Sequence, residues 1–282
     1  MTIRIVNHTI DADAPVSVRV YEPEHANGTG LLWMHGGAFI HGDLDIPEAD
    51  ATSRYLAERG ITVVSVDYRL AVDGIHFPIP LEDCLTAWQW CTGPGNDSPN
   101  VLQWAVGGGS AGGNLAAALA VRLRDEHQPL PAGSVLVYPV LHAVPPEPDP
   151  ELAVALEALT AEQRFDPEPA RELSLNYAGD EDHLLHPWVF PGHGTGNGLP
   201  PTLIITSDVD SLRPSGERYA ALLTDADTPV TLIREHGSLH GHLNYPTTAE
   251  AQRTLQRTER WLTALTDPHA MASDDASAGA TA

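Results

Sequence analysis

Short apolar runs alternate with longer stretches of helical periodicity through most of the chain. Thr62 to Val66 precedes Leu81 to Trp90, Leu102 to Val106 precedes Asn114 to Arg124, and Leu203 to Thr206 precedes Gly216 to Leu223. Leu31 to Met34 and Ser134 to Val140 read as further buried strands, and Thr231 to Ile233 comes before a helical stretch from Thr248 to Leu265. Continuous apolar runs fit strands covered on both faces, whereas Leu115, Leu119 and Leu123 recur at the spacing of one helix stripe. Ile3 to Ile10 and Val16 to Tyr21 alternate instead, as an antiparallel pair at a sheet edge does. The rhythm predicts the α/β class, with a mostly parallel central sheet and helices on both faces.

One stretch breaks this rhythm. Residues 142–185 are rich in proline and acid, with helical segments at Glu151 to Leu159 and Pro169 to Tyr177. They are expected to form a small inserted cap over the strand ends, lining the substrate pocket. The chain is accordingly read as a single catalytic domain over 1–266, followed by a small, polar tail at 267–282 expected to be disordered.

The junction between the Leu102 strand and the Asn114 helix carries the first candidate chemistry. Gly108-x-Ser110-x-Gly112 has the spacing of a nucleophile elbow, in which a serine sits on a sharp strand-to-helix turn that tolerates no neighbouring Cβ. A phosphate-binding loop is excluded, because it needs a lysine and the chain has none. Upstream, the strand Leu31 to Met34 runs into His35-Gly36-Gly37-Ala38, whose amides are candidates to stabilise an oxyanion together with that of Ala111. Gly36, Gly37 and Ala111 are the expected donors. Downstream, Asp208 and Asp210 follow the Leu203 strand, and Asp210 is taken as the acid. His236, His240 and His242 compete for the base; His240 is preferred because Gly241 frees its loop. A Ser110, His240 and Asp210 triad would act through an acyl-enzyme.

Together these segments resemble the hormone-sensitive-lipase-like group of α/β-hydrolases, the bacterial family IV carboxylesterases. The family motifs HGGG, DYRLAPE, GDSAGG, DPLRDE and HGF have counterparts in His35–Ala38, Asp67–Asp73, Gly108–Gly113, Asp210–Pro214 and His240–His242. The resemblance implies the α/β-hydrolase fold, the triad and oxyanion residues named above, a small-molecule ester as substrate, no cofactor and a possible homodimer. Asp67, Tyr68 and Arg69 follow a buried strand and are expected to brace the loop below the site rather than act on substrate. Three positions depart from the pattern. Gly109 stands where an acid that braces the elbow is usual, Pro214 replaces the second acid of DPLRDE, and His242 replaces the phenylalanine of HGF. Little chain precedes Ile3, where the family commonly carries covering helices, so a reduced cap and a more open acyl pocket are expected. A non-hydrolytic ligand-binding protein or a dehydratase on the same fold is the alternative, which the retained triad disfavours.

Charge narrows the partners. The chain has 38 acidic residues against 15 basic ones, for a formal net charge of −23. Such a surface repels nucleic-acid phosphates and anionic membranes. Cys84 and Cys91 lie two helical turns apart, too far for a mutual disulfide, and are expected to pack half-buried. Trp88, Trp90 and Trp104 fall in apolar stretches and are expected in the core. His240 and His242 alone are too few to hold a metal. With no secretory leader pattern and no long apolar run, the cytoplasm is the expected compartment.

Overall fold

The computed structural model describes residues 2–94 and 100–266. Its strands are β1 (Ile3–Ile10), β2 (Val16–Pro23), β3 (Thr29–Met34), β4 (Thr62–Asp67), β5 (Gln103–Gly109), β6 (Ser134–Val137), β7 (Thr202–Val209) and β8 (Val230–Leu239). Among the described residues these eight form one sheet in the order β1-β2-β4-β3-β5-β6-β7-β8. β2 pairs antiparallel with both β1 and β4, and every later pairing is parallel. The chain therefore has the α/β-hydrolase fold expected from its sequence, including the antiparallel edge pair.

The helices are α1 (Pro47–Ala57), α2 (Ile79–Thr92), α3 (Ala111–Asp125), α4 (Pro150–Leu156), α5 (Pro167–Ala178), α6 (Arg213–Asp225) and α7 (Ala249–Thr266). Alternation along β3 shows how they cover both faces. Leu32 and Met34 join Val64, Val106 and Leu136 in a core under α2 and α3. Leu31 and Trp33 point the other way, to Val63, Val135, Leu255 and Leu262 beneath α1 and α7. Hydrophobic residues buried on both faces explain why the parallel strands read as continuous apolar runs. Cys84 and Cys91 are fully rather than half buried on α2. Trp88 is buried beside them, while Trp90 and Trp104 pack partly exposed against the same core.

Two elements differ from their sequence reading. β8 continues through Leu239, well past Ile233, because pairing with β7 extends to Val209 and Leu239 across a register shift. α1 has a mixed sequence whose few apolar residues gave no clear periodicity, yet it buries Ala49, Leu56 and Ala57 together with the polar Glu48, Thr52 and Ser53. The predicted tail at 267–282 lies outside the described residues.

His242, at the place of the family phenylalanine, is a buried tie between elements. Its Nδ1 lies 3.1 Å from Ser207 Oγ on β7 and its Nε2 lies 2.8 Å from Thr254 Oγ1 on α7. A neutral imidazole has one donor and one acceptor nitrogen, so both hydroxyls are served without a charge.

Two outcomes follow from this packing. A methyl group on Gly112 would collide with the Met34 and His35 carbonyls, so Gly112→Ala should destabilise the protein by about 3 kcal/mol, read from the urea midpoint. Burial pushes His242 down to about 4 from its ordinary 6.5, and the buried His142 likewise. Folding then binds fewer protons between these values, so the stability from each neutral ring is present above pH 6.5 and is lost as pH falls through about 4. Each ring should account for about 3 kcal/mol, and His242→Phe should flatten the fall in unfolding free energy over that window.

Candidate active site

Ser110 lies between β5 and α3 with φ 54° and ψ −116°, a positive-φ conformation rare for a side-chain-bearing residue. Its N–H donates to Val137 O on β6 at 2.9 Å, and its carbonyl accepts from the Asn114 N–H at 3.1 Å. The strained turn is thus held from both sides. Gly108 and Gly112 lie backbone to backbone here, which only residues without a Cβ allow.

The ends of β7 and β8 complete a chain of hydrogen bonds. Ser110 Oγ is 2.9 Å from His240 Nε2, and His240 Nδ1 is 2.7 Å from Asp210 Oδ2. Asp210 is fully buried, and its other oxygen accepts from the Leu212 N–H at 2.8 Å. A carboxylate can only accept, so the proton of its bond sits on Nδ1 and Nε2 is free to take one from the serine. Tyr138 and Phe165 stand edge-on to the imidazole at 5.1 and 4.8 Å. The competing residues are placed elsewhere: Asp208 accepts from Arg234 and the Gly237 N–H, and His236 is largely exposed. Asp208 is held below the usual carboxylate range by those donors, which outweigh its partial burial.

The loop after β3 turns sharply, with Gly37, Ala38 and Phe39 all at positive φ. The Tyr68 hydroxyl donates to His35 O at 2.8 Å and its ring stacks on the buried imidazole at 4.3 Å; Arg69 forks onto Asp83. Tyr68 thus braces the loop as expected, whereas Arg69 ties β4 to α2 and Asp67 is exposed. Gly36 departs from its expected role. Its N–H donates to Glu48 Oε1 at 2.6 Å, so it points at a buried carboxylate rather than at the space above Ser110. The amides of Gly37 and Ala38 engage no acceptor among the described residues, and both residues line a space shared with Ser110. Ala111 is the first residue of α3, where backbone N–H groups lack intrahelical partners.

Glu48 is the main feature that the sequence did not reveal. Its second oxygen accepts from the Tyr138 hydroxyl at 3.0 Å. Burial pushes its carboxyl above the ordinary value, opposed by the Gly36 N–H and the Tyr138 hydroxyl. An acid in the first turn of a helix reads as an ordinary partner of the helix dipole. The signal that could have singled it out is the missing acid at Gly109.

Ser110 opens onto two unlike spaces. One is a narrow apolar cavity lined by Phe39, Val140, Ala143, Phe165, Leu173 and Leu212. The other, bounded by His41, Glu48, Asn244 and Tyr245, is broader and opens to solvent. The more open acyl pocket expected from the sequence is not found: the apolar side is narrow, because segment 142–185 packs over it, and the openness lies on the other side of Ser110. Segment 142–185 supplies much of the narrow wall. It is pinned by Arg213, which reaches Asp149 at 2.8 Å, by a Phe165 N–H bond to Ser211 Oγ, and by Tyr177 stacked on Phe39 at 3.9 Å. Pro214 sits in the first turn of α6, where a missing N–H costs nothing.

Among the described residues, no group of three or more His, Cys, Asp or Glu side chains is placed to hold a metal ion. No described helix is long and apolar enough to cross a membrane.

Residues 31–244 match a protein family defined by the alpha/beta hydrolase fold. Esterase LipI of Mycobacterium tuberculosis is 33% identical over 271 residues, covering 93% of this chain and 82% of that protein. An arylesterase of Saccharolobus solfataricus is 32% identical over 253 residues, covering 84% and 76%. Among solved structures, an esterase of Pyrobaculum calidifontis superposes with a TM-score of 0.80 at 31% identity, over 93% of this chain and 85% of that one. With the fold, the strand-end site and these relatives in agreement, the chain belongs to the α/β-hydrolase superfamily, in its hormone-sensitive-lipase-like carboxylesterase group.

Proposed function

We propose that this protein is a serine carboxylesterase that hydrolyses small, uncharged esters with short acyl groups. The observation that carries the reading is the unbroken hydrogen-bond chain from Ser110 through His240 to Asp210, built on a positive-φ serine. His240 Nε2 takes the hydroxyl proton as Ser110 Oγ attacks the ester carbonyl, and Asp210 stabilises the imidazolium that forms. The tetrahedral oxyanion is met by the amides of Gly37, Ala38 and Ala111, with Ala38 taking the part first assigned to Gly36. Collapse expels the alcohol, which receives its proton from His240. Water activated by the same imidazole then attacks the acyl-enzyme and releases the acid. No cofactor is needed for any of these steps.

The narrow apolar cavity supports a short acyl group, since Phe39, Phe165, Leu173 and Leu212 leave little free space beside Ser110. The broader side, open to solvent, suits a range of alcohols. The acidic chain favours neutral esters over polyanionic ones. A non-hydrolytic binding role is disfavoured, because a receptor has no use for a base held 2.9 Å from the serine. A catalytic domain over 1–266 capped by 142–185, a cytoplasmic location and a homodimer complete the reading; the dimer is open to test by sedimentation.

Initial rates on p-nitrophenyl esters from two to twelve acyl carbons are the direct test. The expected profile peaks at the short esters and falls steeply with chain length. Ser110→Ala should lower kcat by at least about 10⁴-fold with an unchanged unfolding temperature. Activity near wild type in that variant would refute the assignment, and a maximum at long acyl chains would refute the short acyl pocket.

A further inference from the structure

Glu48 is two per cent exposed and has no role in the proton transfers described above. Resting on the esterase reading, we propose that Glu48 is the positioning residue of the oxyanion loop, entering from α1 the space that a side chain at position 109 would fill.

The geometry around its carboxylate is specific. A Cβ built on Gly109 would lie 2.5 Å from Glu48 Cδ and 2.6 Å from each oxygen. Gly109 does not have a positive φ, so its backbone does not demand glycine; the Glu48 carboxylate does. One oxygen accepts the Gly36 N–H at 2.6 Å and the other the Tyr138 hydroxyl at 3.0 Å. The backbone N–H of Glu48 donates to Asn244 Oδ1, and the Asn244 amide donates to Gly241 O beside the base. The start of α1 therefore ties together the oxyanion loop, the end of β6 and the loop that carries His240.

A buried carboxylate persists only when donors compensate its lost hydration, and charge-assisted bonds to backbone amides are among the strongest such compensations. Fixing Gly36 fixes the direction of the next two amides, those of Gly37 and Ala38. Donors aimed in advance at the developing oxyanion lower the barrier without affecting ground-state binding to the same degree. Both Glu48 oxygens are engaged and the side chain is buried, so the residue acts through the loop.

The test combines Glu48→Ala, Glu48→Gln, Gly109→Asp and the double variant Glu48→Ala/Gly109→Asp. Each is assayed for kcat and KM on p-nitrophenyl acetate, for affinity toward a trifluoromethyl ketone that forms a tetrahedral adduct, and for thermal unfolding. Glu48→Ala should lower kcat by about 30- to 100-fold, as a loosened oxyanion donor would, with KM within about threefold and ketone affinity falling in parallel with kcat. Glu48→Gln can still accept the Gly36 N–H and donate to the Tyr138 oxygen, so its kcat should stay within about threefold of wild type. Gly109→Asp puts two carboxylates in one space and should be as impaired as Glu48→Ala. The double variant, with one carboxylate restored, should recover at least about tenfold over either single change.

Wild-type kcat in Glu48→Ala, Glu48→Gln as poor as Glu48→Ala, or no recovery in the double variant would each overturn the proposal. If Glu48→Ala alone does not fold, Glu48→Gln and the comparison of Gly109→Asp with the double variant decide it. Ser110→Ala in the same assay keeps the two readings apart. An active Ser110→Ala defeats the esterase reading, whereas an inactive one beside a fully active Glu48→Ala defeats only the role of Glu48.

Discussion

The close approach of α3 to β3 governs the geometry at the top of the sheet. Because Gly108 and Gly112 carry no side chain, the elbow backbone lies against the carbonyls that end β3. That contact forces Ser110 into its positive-φ turn and brings the β3 loop alongside it. The first free amides of α3 then share a space with Gly37 and Ala38. A nucleophile and oxyanion donors on separate chain segments thus converge through backbone contact, which is less deformable than side-chain packing.

The remaining groups arrive from strands that are neighbours in space. β7 and β8 lie side by side at one end of the sheet, and their carboxyl ends deliver Asp210 and His240 within 2.7 Å of each other. Ligands in open α/β sheets bind outside the carboxyl ends of the strands, and this site follows that rule. Segment 142–185 then closes one side of Ser110 with apolar side chains and leaves the other side open. The asymmetry gives two unlike walls to the two halves of an ester, although both meet the same serine.

A net charge of −23 is compatible with this fold because charges that enter the interior are partnered. Arg213, fully buried, reaches the Asp208 carbonyl and the Asp149 carboxylate, and so fastens the cap segment to the base of α6. Glu235 is held by Arg253 and Arg257 between β8 and α7, and Asp83 by Arg69. Removing one member of such a pair leaves a buried charge without compensation, which is why they act as fasteners despite modest net stabilisation.

Local patterns along the chain determined the class of fold, the edge pair and most elements, since alternation and helical periodicity are properties of neighbouring residues. They also singled out Ser110, Asp210 and His240, because each follows a predicted strand in an order with few alternatives. Relations between distant segments were decided only by tertiary structure. That Gly36 turns its amide to Glu48, that Glu48 fills the space beside Gly109, and that His242 bridges Ser207 and Thr254 depend on pairs brought together from separate elements. A polar residue on a short mixed helix looks the same in sequence whether it faces solvent or a buried amide. Only the packing of α1 under the β3 loop desolvates Glu48 and gives its carboxylate a single set of partners.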